Sequence, residues 1–325
     1  MINLFPLFKN TACYKTVKSD KENGKLSHAY LLITPDKTFM TEYLKILASL
    51  ISCKENEPCG NCRACKLIKE GNHPDVYLFP KDSETLKTED VGLIIEKTYY
   101  RPVESDKKIF LLSNGESMSE ITQNKLLKTL EEPPENSIII IGATSEYPLL
   151  PTVKSRVLKL ELGAFNREEI FDVLKEECAD VEKLKTAIAC GDGTVGTAYS
   201  LYGDRSLLEI TDFTCDMMIN MQTSKDVLDF TTKFNGLKVG IGEFLNVFEL
   251  ALRDKLVTLE NKEELVANAR VNDRLKEASG FNRGAITYIF DVIREAEKRL
   301  KHNANQKMLI EWILFSVLEG KHKWR

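Results

Sequence analysis

The 325-residue sequence has little of what marks the specialised protein classes. It holds 10 prolines and 17 glycines and no repeated segment, which excludes collagen-like and Pro/Gly-rich low-complexity chains. No uncharged apolar run reaches the ~18 residues that a membrane-spanning helix needs. The amino terminus lacks a basic-then-apolar signal pattern, so no membrane association and a cytoplasmic location are expected. Neither sign of charge dominates: 45 Lys and Arg against 49 Asp and Glu leave a net charge of −4. That balance argues against a protein that coats nucleic acid by itself through a basic surface. At roughly 100–200 residues per domain the length predicts two or three domains, with cores large enough to need no disulfides.

Cysteine is present but unevenly placed. Of eight residues, Cys13, Cys178, Cys190 and Cys215 are scattered and read as small buried hydrophobes. The other four fall in Cys53-x5-Cys59-Gly60-Asn61-Cys62-Arg63-Ala64-Cys65. Two chained C-x-x-C spacings let backbone turns bring sulfurs to the corners of a tetrahedron, and Zn²⁺ on four thiolates is the usual closed, structural occupant. Such a metal keeps no open position and does no hydrolysis. An iron–sulfur cluster is the alternative occupant, and a redox dithiol is disfavoured because that motif uses two cysteines.

Residues 1–163 alternate short apolar runs with helix-period segments. The runs are Ala29–Ile33, Val76–Phe79, Ile109–Leu112, Ile138–Ile141 and Val157–Leu160. Unbroken apolar runs of this length predict strands covered on both faces, hence a five-stranded parallel sheet in an α/β domain. A helix is predicted from a capping box at Ser117-x-x-Glu120, with Ile121, Leu126, Leu127 and Leu130 on one face and a stop at Pro133-Pro134. After Gly163 the strand signal ends. Residues 166–204 read as a small helical unit carrying the stripes Ile170, Val173, Leu174 and Leu184, Ala187, Ile188, and ending in the Gly-rich stretch 191–196. From about residue 205 to 325 every segment has helical period, as in Phe244, Val247, Phe248, Ala251 and Leu252, which predicts an all-helical domain of some six helices.

Several segments in this order resemble the bacterial DNA polymerase III clamp-loader subunits of the AAA+ family, in their delta-prime form. They are Leu26-Ser27-His28-Ala29-Tyr30, the Cys cluster led by Pro58, His73-Pro74-Asp75, the stretch Asn124 to Pro134 ending Leu-Glu-Glu-Pro-Pro, Leu150-Pro151-Thr152-Val153-Lys154-Ser155-Arg156-Val157, and Asn303-Ala304-Asn305 before a last helix. The resemblance implies an AAA+ base (1–163, with the Zn module at 53–65), a helical lid (164–204) and a helical collar (205–325). It also implies partners: gamma/tau ATPase subunits and a delta subunit in a hetero-pentamer, with the sliding clamp and primer–template DNA reached through the assembly.

On that resemblance the nucleotide site looks empty of chemistry. A phosphate loop requires G-x-x-x-x-G-K-[ST], so that backbone amides approach the phosphates and Lys neutralises their charge. The frame falls on Thr34 to Thr41, where Phe39 stands for glycine, Met40 for lysine, Asp36 adds a negative charge, and only Thr41 fits. The third strand is followed by Ser113-Asn114 instead of Asp-Glu, and Gly193 to Thr197 offers no cation. No bound ATP is expected. Ser155-Arg156 is retained, and the resemblance implies that Arg156, supported by Ser155, reaches into a neighbouring subunit's ATP site as an arginine finger. Two competing readings are a gamma/tau-like ATP-hydrolysing motor, which shares the Cys cluster and the Ser-Arg pair, and a Zn-dependent nucleic-acid binder. His73 and Asp75 are expected to fix a loop, His28 to pack before its strand, and Lys125 and Lys128 either to face DNA or to line a solvated face.

Overall fold

The computed structural model describes residues 2–81, 85–204, 206–237, 239–262, 266, 269–302 and 304–324. Met1, Arg205, Asn303 and Arg325, used above as limits or motif, lie outside the described residues. The chain divides into two compact units, Met1–Val173 with Thr194–Gly196, and Leu174–Gly193 with Thr197–Arg325.

The first unit is built on five parallel strands, β1 (Ala29–Ile33), β2 (Val76–Phe79), β3 (Lys108–Leu112), β4 (Ser137–Ala143) and β5 (Leu158–Glu161), in the spatial order β2-β3-β4-β1-β5. Register pairs Ala29 with Ile139 and Ile109 with Ile138. Around the sheet run α1 (Phe5–Phe8), α2 (Ala12–Glu22), α3 (Met40–Ser52), α4 (Arg63–Glu70), α5 (Thr88–Thr98), α6 (Glu120–Glu131), α7 (Pro151–Lys154) and α8 (Arg167–Leu174). The three central strands carry the apolar runs and are buried, apart from Ile33 at the end of β1. Each isoleucine of Ile138–Ile141 is at most 2% exposed and stabilises the fold by about 2 kcal/mol. The edge strands depart from the prediction of cover on both faces. Of β5 only Leu160 is buried and of β2 only Phe79, because an edge lacks a neighbour on one side. All five strands leave their carboxyl ends on the same edge, where open α/β sheets hold ligands.

α6 corrects the sequence reading at its start. Its N-cap is Ser119, whose hydroxyl accepts from the Thr122 amide, whereas Ser117 lies in a 3₁₀ turn and donates to the Asn114 carbonyl. Ile121 is 74% exposed while Leu126 and Leu130 are buried. The five-residue step from 121 to 126 turns about 500°, so the two cannot share a stripe. The helix stops before Pro133 and Pro134, as predicted.

The second unit is helical throughout its described residues. α9 (Val181–Cys190) precedes α10 (Val195–Gly203), which starts inside the Gly-rich stretch predicted to end this region and whose first two residues, Val195 and Gly196, belong to the first unit. Gly193 takes a positive φ of 82° there, a conformation that glycine reaches without a Cβ clash. Six helices follow: α11 (Ser206–Asn220), α12 (Ser224–Gly236), α13 (Ile241–Leu259), α14 (Ala269–Lys276), α15 (Arg283–Lys301) and α16 (Gln306–Lys323). Their core gathers Phe213, Phe230, Phe234, Phe244 and Phe248 with Ile289, Ile293, Ile313 and Val317. No helix of the described residues is long and apolar enough to cross a membrane.

Candidate functional site

The Cys cluster closes by local turns. Gly60, at φ 69°, lets the chain reverse between Cys59 and Cys62. The Cys59 sulfur accepts from the Cys62 amide at 3.3 Å, and Cys62 is the N-cap of α4, its sulfur accepting from the Cys65 amide at 3.4 Å. Cys53 arrives from the end of α3 with its sulfur 3.7 Å from that of Cys59 and 3.9 Å from that of Cys62. All four sulfurs lie within 4.8 Å of one another. Zinc bonds of about 2.3 Å in a tetrahedron place sulfurs about 3.8 Å apart, so the donor set fits a four-thiolate zinc. Backbone donors from Cys62 and Asn61 pull the Cys59 thiol down to about 6, while burial pushes Cys65 up to about 12. A divalent cation would ionise all four. Lys21 braces the cluster's approach, donating to the Cys53 and Glu55 carbonyls at 2.6 and 2.7 Å.

The loop after β1 is closed on itself. Thr34 and Asp36 are buried at 1% and 2% exposure. The Asp36 carboxylate accepts from the Phe39 amide at 3.1 Å, the Tyr43 hydroxyl at 3.1 Å and the Gly196 amide at 3.0 Å. Met40 is buried against β4, to the point that a Cβ on Gly142 would lie 2.5 Å from its sulfur. Phe39 is half-buried, as is Thr41. Beyond β3, Ser113 is spent on the Phe79 carbonyl, which it contacts through both its amide and its hydroxyl.

Arg156 follows α7. Its guanidinium donates to the Thr152 carbonyl at 2.8 Å and the Ser155 hydroxyl at 3.1 Å, and pairs with Glu131 of α6 at 2.8 Å. Its side chain is 34% exposed. Neither the Cys cluster nor the closed loop shares a contact with it among the described interactions.

Residues 9–166 match the family model described as DNA polymerase III, delta subunit. The chain is 27% identical to the DNA polymerase III subunit delta' of Bacillus subtilis over 315 residues, covering 94% of this chain and 95% of that one. It is 32% identical to the delta' subunit of Haemophilus influenzae over 173 residues, 52% and 53% of the two chains. It is also 26% identical to the gamma subunit of Buchnera aphidicola from Acyrthosiphon pisum, across 91% of this chain and 90% of that one. Over nearly its whole length the chain is similar to subunits of DNA polymerase III, of the delta' and the gamma kind.

Several residues that sequence reasoning missed hold the sites in place. Gln123, 1% exposed on α6, donates to the Met118 and Pro148 carbonyls and accepts from the Leu150 amide, so it fixes the segment that leads to α7 and Arg156. Glu116 accepts from the amide and hydroxyl of Thr144, joining the loops after β3 and β4. A polar residue in the middle of a buried stripe was the only available signal for Gln123. His73 and Asp75 do fix a loop. The Asp75 amide donates to His73 Nδ1 at 3.1 Å, and the Asp75 carboxylate accepts from the amides of Val103, Glu104 and Ser105 at 2.7, 2.7 and 2.9 Å. Burial would raise the Asp75 pKa, and these three donors hold it below its ordinary value. Burial lowers that of His73. Arg63 of α4 then pairs twice with Glu104, tying the Cys module to the same loop. Lys125 donates to the Thr88 carbonyl at 3.0 Å, which commits it to the seam between α5 and α6.

Proposed function

We propose that this chain is the delta-prime-like subunit of its clamp loader, a partner that hydrolyses no ATP itself and offers Arg156 in trans to a neighbouring gamma/tau ATPase subunit. The observation that carries the reading is the loop after β1. Phe39 and Met40 replace the glycine and lysine of a phosphate loop, and Met40 is turned into the sheet. A nucleotide bound there would lack both the backbone approach and the cation that neutralises its β and γ phosphates. Arg156 keeps a partly exposed guanidinium whose orientation is set by the Thr152 carbonyl, Ser155 and Glu131. Such a group stabilises charge developing on a transferring phosphoryl when a neighbouring subunit presents it.

In this reading 1–163 is the base, 164–204 the lid and 205–325 the collar that joins a hetero-pentamer with gamma/tau and delta. The assembly loads the sliding clamp on primer–template DNA in the cytoplasm. The four cysteines hold zinc as a structural tie between α3 and α4. The likeness to gamma and tau subunits favours a motor as the second reading, and the loop sequence weighs against it.

The test is reconstitution with the ATPase and delta subunits. A finger of this kind is worth about 10³-fold at the site it serves, so Arg156→Ala should lower the assembly's ATPase severalfold without changing the pentamer's mass. An unchanged ATPase removes the finger. Binding of ATP to the isolated chain with a dissociation constant below about 10 μM removes the non-ATPase reading.

A further inference from the structure

The Asp36 carboxylate sits where two helices begin. One oxygen accepts from the Phe39 amide, at the N-cap of the 13-residue α3, and the other from the Gly196 amide, in the first turn of the nine-residue α10. The second oxygen also accepts from the Tyr43 hydroxyl. The amide of Asp36 itself donates to Thr34 Oγ1 at 3.3 Å. The first-turn amides of a helix lack intrahelical acceptors and carry the positive end of the helix dipole, so amides from two such ends, converging on one point, form an anion site. The anion here comes from the chain itself, from a residue 160 positions away from Gly196. It is 2% exposed.

The fit leaves no slack. A Cβ built on Gly196 would lie 2.1 Å from Asp36 Oδ1 and 2.6 Å from the Thr38 Cβ. Only glycine lets the α10 backbone come this close to the loop. Burial and the neighbouring Asp36 charge push the Tyr43 phenol up, which keeps its hydroxyl a donor.

We infer that Asp36 is the resident anion of the former phosphate site, a built-in carboxylate that fastens Gly196 and the start of α10 to the loop after β1 and makes that closure independent of nucleotide. Here the join is permanent, because the ligand is covalently part of the chain. Vacating the carboxylate should leave amides suited to an oxyanion, so the site would accept inorganic phosphate chemistry only when Asp36 is removed.

The inference deepens the non-ATPase reading and rests on it, yet the two fail separately. The experiment is amide hydrogen exchange on the full chain, read at Gly196 and Phe39, for wild type, Asp36→Asn and Asp36→Ala, with and without millimolar inorganic pyrophosphate. In wild type both amides should be protected and pyrophosphate should change nothing. Asp36→Ala should speed exchange at Gly196 at least about tenfold, and pyrophosphate should restore much of the protection. Asp36→Asn, which keeps an acceptor oxygen without the charge, should fall between them.

Gly196 exchange in Asp36→Ala equal to wild type would overturn the inference, and so would an Asp36→Ala chain that exchanges fast but ignores pyrophosphate. Should Asp36→Ala fail to fold, Tyr43→Phe and Gly196→Ala probe the same join. Each should loosen the Gly196 amide or the loop amides with the carboxylate still present, and unchanged exchange in both overturns the inference. ATP that binds wild type and displaces nothing at Gly196 would instead remove the non-ATPase reading and leave the carboxylate join standing.

Discussion

The Cys cluster and the loop after β1 lie in the same unit and are both ligand sites by geometry, but they are completed in opposite ways. The cluster collects its donors within thirteen residues and would be completed by a cation from outside, since its four sulfurs lie within 4.8 Å of one another, a spacing that fits a metal between them. The loop collects its donors from residues as far apart as Phe39 and Gly196 and carries its own anion in Asp36. A site written in local spacing announces itself in sequence. A site closed by a distant backbone amide does not, because nothing in the residues near Asp36 names Gly196 as its partner.

The sharpest way to break that comparison is to deprive the cluster of its outside ligand. Cys65→Ser should abolish stoichiometric zinc, measured by atomic emission, and should cost at least about 4 kcal/mol in urea unfolding, because metal binding and folding are one free energy in such modules. Cys65 is 4% exposed, so the serine would also leave a hydroxyl buried where a thiolate belongs. Full stability after loss of zinc would mean the cluster is no structural tie.

How far the sequence could be read follows the same division between local and distant. The parallel sheet was visible because Ile138–Ile141 and Ile109–Leu112 are unbroken apolar runs, and the six helices of residues 206–323 were visible in their spacing. The edge strands misled because the apolar run of β5 does not tell that it lacks a neighbour. The start of α6 misled because Ser117-x-x-Glu120 fits the capping-box pattern while the true N-cap, Ser119, has Thr122 in place of the Glu or Gln that the pattern calls for.

Other struts could not be read at all. Lys321, 2% exposed, donates to the Met218 and Met221 carbonyls at 3.1 and 2.7 Å and so caps the carboxyl end of α11 from a helix a hundred residues later. Lys255 does the same for α14 through the Leu275 carbonyl at 2.7 Å. A cation at the negative end of a helix is physically sound, but in sequence these lysines look like solvated charges.

Asp75 sharpens the comparison, since it binds three amides as Asp36 binds two, yet its donors at 103–105 form one local turn. Asp75→Asn keeps one acceptor and loses the charge, and should cost about 2 kcal/mol at pH 7 by chemical unfolding. The folded pKa of Asp75 is below its ordinary value of 3.8. Its contribution is therefore present above about pH 4 and lost as pH falls through the folded value. The difference between wild type and Asp75→Asn should hold from pH 7 to pH 5 and shrink below pH 4. A difference that grew with acid would contradict the sign.

The smallest effect is expected at Glu131, whose pair with Arg156 is 48% and 34% exposed. Exposed pairs contribute about 0–1 kcal/mol, because water screens the charges and side-chain entropy opposes holding them. Glu131→Gln should thus shift the unfolding free energy by less than about 1 kcal/mol, well under the change at Cys65 or Asp75. If Glu131 serves to orient the guanidinium, the reconstituted ATPase should still fall, though less than in Arg156→Ala, since Gln keeps an acceptor and the Thr152 and Ser155 contacts remain. A stability loss above about 2 kcal/mol would make the pair a strut like Asp75. It would also dissolve the contrast between residues that hold the fold and those that aim a single side chain.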